Sequence, residues 1–140
     1  MRIDEVVRRK GREVVTIRSD ATVGELLDLL EKHHIGAVVV SDGDGRVDGI
    51  VSERDLVPLV RQEGASARPV SDVMTREVFT CGLQDELEVI ARTMTDRRVR
   101  HLPVVDAGVM VAIVSIGDVV KNRLDELQVE RDQLEGYVRG

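Results

Sequence analysis

The sequence predicts a mixed α/β fold of the α+β type, made of two tandem β-α-β-β-α repeats and an extended C-terminal helix. Three observations predict it. Residues Thr16 to Asp42 and Thr80 to Asp106 share one apolar pattern at an offset of 64. Ile50-Val51-Ser52-Glu53-Arg54-Asp55-Leu56 then matches Ile113-Val114-Ser115-Ile116-Gly117-Asp118-Val119 at an offset of 63. Between these blocks, apolar runs too short for helices alternate with a helical period.

Residues 1–14 form an N-terminal arm, with a short amphipathic helix over Ile3 to Arg9. The first repeat, 15–62, opens on a short strand, Val14-Val15-Thr16-Ile17. Thr22 is placed to cap a helix whose Val23, Leu26, Leu27 and Leu30 share one face. Leu87, Ile90, Ala91 and Met94 hold the same places in the second repeat, 78–122. Ala37-Val38-Val39-Val40 and Leu102-Pro103-Val104-Val105 are buried strands by β-branched content, with Pro103 at a strand start or edge. Asp42-Gly43-Asp44-Gly45 and Asp106-Ala107-Gly108 are hairpin turns. Strands over Val47 to Val51 and Val109 to Val114 follow, and a helix starts after Ser52 and after Ser115.

Residues 63–77 are a small, polar linker and a lead-in to the second repeat. The last helix runs on through an extension, 123–140. Val120, Leu124, Leu127, Leu134 and Val138 make a heptad-like seam interrupted by Arg131, expected to dock on a partner subunit.

Composition narrows the function. Each repeat is of a size at which a lone core is marginal, so the two copies should share an apolar interface. The net charge is −6, with one Phe, one Tyr and no Trp, which argues against a basic or base-stacking nucleic-acid surface. The single cysteine, Cys81, falls on the position of Ile17 and reads as a small buried hydrophobe. No stretch suits a membrane span and the N-terminus is charged, so a soluble cytoplasmic protein is expected. Arg8-Arg9-Lys10 reads as a solvated face or fraying terminus, and His33-His34 as solvent-facing. No nucleophile–base–orienter set and no metal cluster stands out, so no enzymatic activity is expected.

With these residues in place the chain resembles the CBS (cystathionine-β-synthase-type) domain family, whose repeats pair into a Bateman module, here a stand-alone one. Gly49-Ile50-Val51-Ser52-Glu53-Arg54-Asp55 carries the family's Gly-hydrophobic-x-Thr/Ser-x-x-Asp signature in full. The second copy has Ala112 in place of the first glycine, and Arg98 to Asp106 is also close to the family's pattern.

The resemblance implies pseudo-twofold symmetry and two clefts for adenosyl ligands: AMP, ADP, ATP or NAD, with S-adenosylmethionine less expected. One cleft would join Ile50, Ser52, Arg54 and Asp55 to Val78, Phe79, Val99 and His101. The other would join Ile113, Ser115 and Asp118 to Val15, Ile35, Gly36 and Ala37, with Arg100 placed to reach phosphate there. Lys121 is a weaker phosphate candidate. An ionised Asp can accept hydrogen bonds from the cis hydroxyls of a ribose, and a helix start favours phosphate. Ser-x-x-Asp is equally an ordinary helix cap, so Ser52 and Ser115 have two compatible roles. His101 is also readable as a half-buried strand residue. The differences at Gly49/Ala112 and at Gly36-Ala37/Arg100-His101 imply unequal clefts. The expected function is a regulatory module passing occupancy to a homodimer interface or an unidentified protein target. The alternative is an interaction module with vestigial sites.

Overall fold

A computed structural model describes residues 1–139, so residue 140 of the expected extension lies outside the described residues. Five helices and two small sheets follow the expected mixed order. The elements are α1 (Ile3–Lys10), β1 (Thr16–Ile17), α2 (Val23–His33), β2 (Ala37–Val40), β3 (Gly49–Ser52), α3 (Glu53–Leu56), α4 (Leu87–Arg97), β4 (His101–Asp106), β5 (Val109–Ser115) and α5 (Ile116–Arg139).

In the first repeat β2 lies between β1, parallel to it, and β3, antiparallel. In the second, β4 and β5 pair antiparallel, and the place of β1 shrinks to a single bridge from Cys81 to Val104. Pro103 is therefore interior to β4 along the chain but faces an edge. Its carbonyl accepts the Cys81 N–H at 3.0 Å, so its missing N–H falls on the side where only that bridge pairs. α2 begins with a reciprocal cap: Glu25 N–H donates to Thr22 Oγ1 at 3.1 Å, and Thr22 N–H donates to the Glu25 carboxylate at 3.3 Å. Both α2 and α4 end on a left-handed residue, His34 and Arg98, 64 positions apart.

The strands are shorter than expected at both edges: Val14, Val15 and Val47 lie outside them. α3 is a single turn, followed by a 3-10 turn over Val57–Leu59, because Pro58 has no N–H to give to the Arg54 carbonyl. Its counterpart α5 has no such break and runs for 24 residues. Leu27, expected on the core face of α2, is 47% exposed, whereas Val23, Leu26 and Leu30 are buried.

The two segments ahead of the repeats are exchanged. Ile3, Val6 and Val7 of α1 are fully buried in the core of the second repeat, with Leu87, Met94, Leu102 and Val114. Val70, with Val73 and Met74, packs instead into the core of the first, beside Leu26, Val38 and Val51. Matching backbone bonds set the register of this exchange. Leu87 N–H donates to the Met1 carbonyl as Val23 N–H does to that of Arg68. Ile3 N–H donates to the Asp85 carbonyl as Val70 N–H does to that of Ala21. Each repeat thus borrows part of its core from chain belonging to the other. The turn at Gly45, φ +69°, leans on Val109 and accepts the Met110 N–H at 2.9 Å, a further tie between the repeats.

Candidate functional site between the repeats

The strand-to-helix corner after β3 turns Ser52 into an N-cap and brings Asp55 back over it. Asp55 Oδ2 accepts the Ser52 N–H at 2.9 Å and the Ser52 hydroxyl at 3.3 Å. The corner after β5 repeats this. Asp118 Oδ2 accepts the Ser115 N–H at 2.9 Å, and Ser115 Oγ accepts the Asp118 N–H at 3.2 Å. The capping reading of Ser115 therefore holds, and the same bonds fix where each carboxylate points.

A cavity of about 350 Å³ opens beside Asp55. The structure brings together there Ile50, Ser52, Arg54 and Asp55 from one repeat with Val78, Phe79, Val99 and His101 from the other. Phe79 sits at the rim, 43% exposed, with the Arg97 guanidinium 5.2 Å from its ring centroid.

Arg100, Gly36 and Ala37, expected in the second cleft, line this one. The reason is the close approach of the two strand starts. A methyl built on Gly36 would lie 3.9 Å from His101 Cε1, so β2 and β4 open into one space. Glu53, Thr75, Glu77 and Arg98 also line it and were missed by sequence reasoning. Only the exchanged path of the 70–77 segment, which no local pattern signals, brings Thr75 and Glu77 there.

The residues expected around Asp118 are less gathered. Ile113 and Ser115 lie on β5, paired with Pro103 and His101. Val15 is half-buried just ahead of β1. Ile35 packs on the first repeat's core and lines a different, larger groove of about 1040 Å³ between α2, α3 and the 64–66 segment. That groove has an aliphatic floor of Val23, Leu30, Leu56 and Leu59, and lacks both signature aspartates.

Asp118 differs from Asp55 in one further respect: the Lys10 ammonium, at the end of α1, is bonded to its Oδ2. The basic end of α1 is therefore not simply solvated. Arg9 also donates to Asn122 Oδ1 at 3.0 Å. Burial pushes the Asp118 carboxyl up, but the Lys10 and Ser115 bonds outweigh it and leave the group below its ordinary value. His101 is held below its ordinary value, by burial first and then by the Lys10 charge.

The CBS domain model matches residues 3–61 and 70–125. The chain belongs to the CBS domain family. Among its relatives is the CBS domain-containing protein CBSX3, mitochondrial, of Arabidopsis thaliana, 33% identical over 99% of this chain and 72% of that one. The crystal structure of the CBS-domain containing protein ATU1752 from Agrobacterium tumefaciens is 43% identical, with a TM-score of 0.83 over 88% of this chain and 99% of that one. The CBS domain protein PAE2072 from Pyrobaculum aerophilum, solved complexed with AMP, is 29% identical, with a TM-score of 0.74 over 84% and 89% of the two chains. The mixed architecture is thus that of a CBS pair. Among the described residues, no helix is long and apolar enough to cross a membrane.

Proposed function

We propose that this CBS pair is a regulatory module binding an adenine nucleotide, AMP, ADP, ATP or NAD, in the Asp55 cleft. A second site is proposed at Asp118. The observation that carries the reading is the Asp55 carboxylate on the wall of a cavity built from both repeats. Its volume of about 350 Å³ falls within the range of small-ligand sites. Asp55 accepts the ribose hydroxyls; Ile50, Val78 and Val99 flank the base; Arg54, Arg98 and Arg100 meet phosphate. The AMP complex of PAE2072 supports the ligand class. A ligand spanning the repeats favours one arrangement of them, by no more than its differential affinity for the two states. A homodimer interface or an unidentified protein target then reads that arrangement.

Thermal shift and calorimetry with AMP, ATP, NAD and S-adenosylmethionine test the reading. AMP at 100 times its dissociation constant should add about 2.7 kcal/mol of stability. Asp55→Ala should weaken binding by about 1–3 kcal/mol. Unchanged affinity in Asp55→Ala would remove the ribose assignment.

A second reading, an assembly module with vestigial clefts, draws on one observation, the unpartnered apolar stripe of α5. It predicts no stabilisation by any of these nucleotides.

A further inference from the structure

We propose that Lys10 is a latch on the Asp118 cleft. It holds Asp118 while the cleft is empty and moves to an anionic group of the incoming ligand, so that this cleft selects phosphorylated over phosphate-free nucleosides. The inference rests on the reading of Asp118 as a ribose-binding carboxylate.

The first support is an asymmetry in the exchanged lead-ins. The backbone bonds that pair Met1 with Arg68 and Ile3 with Val70 set an offset of 67. On that count Lys10 corresponds to Glu77, which lines the Asp55 cleft. Where one cleft receives a carboxylate from its lead-in, the other receives an ammonium. The two sites therefore differ by charge at a position outside the duplicated signature.

The second support is the pair itself. Lys10 and Asp118 side chains are 30% and 25% exposed, so each is partly desolvated. Asp118 Oδ2 already takes the Ser115 N–H, and Lys10 shares that same oxygen. A ribose diol that engages both carboxylate oxygens offers only neutral donors and competes with the ammonium for Oδ2. If Lys10 is displaced with no anion to receive it, a half-buried charge loses its partner. A 5′-phosphate supplies one, whereas a 5′-hydroxyl does not. The four-carbon lysine stem can change partner without moving the helix.

The third support is that α1 does not depend on Lys10 for its place. Ile3, Val6 and Val7 are fully buried, and the Met1 ammonium is 2.9 Å from Glu126 Oε2. Lysine at this position also complements the C-terminal end of the α1 dipole, but Arg8 and Arg9 do so as well. Neither of those reaches the signature aspartate.

The test uses the full chain carrying Asp55→Ala, which leaves the Asp118 cleft as the one with its carboxylate. AMP and adenosine are titrated calorimetrically with Lys10 present and in Lys10→Met and Lys10→Arg, and thermal unfolding verifies that each variant folds. With Lys10, AMP should bind about ten-fold or more tighter than adenosine. Lys10→Met should collapse that preference to about two-fold, by weakening AMP and strengthening adenosine, and Lys10→Arg should keep it. An unchanged preference in Lys10→Met, with binding lost in Asp118→Asn, overturns the latch alone. Binding that survives Asp118→Asn, or no binding in any variant, overturns the latch together with the reading beneath it.

Discussion

His101 stands directly across the β4–β5 ladder from Ser115, yet it lines the cleft of Asp55. It thus touches both corners, as one cleft's wall and the other cap's neighbour. Burial and the positive charges of Lys10 and Arg100 disfavour its protonation, while Asp118 and Glu53 favour it, and the net direction is down. A depressed histidine contributes stability that is present above its unfolded value, about 6.5, and lost as pH falls through its folded value. We therefore expect an NMR titration midpoint for His101 below 6.5. Stability should decline as pH is lowered from about 7, a decline that His101→Gln flattens. A midpoint at or above 6.5 contradicts this account.

Gly49 has a packing reason to be glycine. A methyl built on it would lie 2.7 Å from Met74 Sδ and 3.0 Å from the Thr75 carbonyl oxygen. Thr75 is held there by two backbone bonds with Ile50, at 3.0 and 2.9 Å. The thioether can shift, but the carbonyl cannot without breaking that bridge. Gly49→Ala should cost about 1–3 kcal/mol in urea unfolding. Ala112, its counterpart, is buried in the second core, so Ala112→Gly should cost only about 1 kcal/mol. Equal effects at the two positions would show that the lead-in does not set the glycine.

Much of this architecture was legible in the sequence because its signals are local. Thr22 with Glu25, the α2 and α4 periodicities and the two Ser-x-x-Asp corners need only neighbouring residues to be understood. The exchange of lead-ins was not legible. Ile3-x-x-Val6-Val7 and Val70-x-x-Val73-Met74 are short apolar patterns that either repeat would accept. Which one accepts them is a tertiary matter, and three site features follow from it: Lys10 on Asp118, Glu77 in the Asp55 cleft, and Thr75 over Gly49. That Gly36 and Arg100 line the Asp55 cleft has a related reason. They start the strands nearest the other repeat, where offset arithmetic cannot tell one opening from its neighbour.

Cys81 occupies the place of a β1 residue and is 5% exposed. Burial, with a smaller contribution from Asp85, pushes its thiol up to about 12. At pH 8 almost no thiolate is present and access requires local opening. A disulfide-exchange reagent should label the native protein far more slowly than the protein in urea. Labelling at comparable rates would place the bridge to Val104 among the fraying parts of the fold.

The far half of α5 sets the last expectation. Val120, Leu124, Leu127, Leu134 and Val138 are 45–83% exposed, and they share one face with Arg131. Val119 and Asn122, which pack on the body, lie on another face. A helix of about a dozen residues without tertiary contact is marginal in water, so the free end gains from a partner. Chain ending after Gln128, which keeps the Glu126 partner of the Met1 ammonium, should keep its unfolding midpoint as a monomer but lose self-association in sedimentation. Arg131 is the one charge in the seam, where it trades burial for specificity. Arg131→Leu should tighten association by about 1 kcal/mol or more, since a seam position then buries an aliphatic side chain. Full-length protein that sediments as a monomer at high micromolar concentration, with or without that substitution, would leave α5 a solvated helix and remove homodimerisation through this seam.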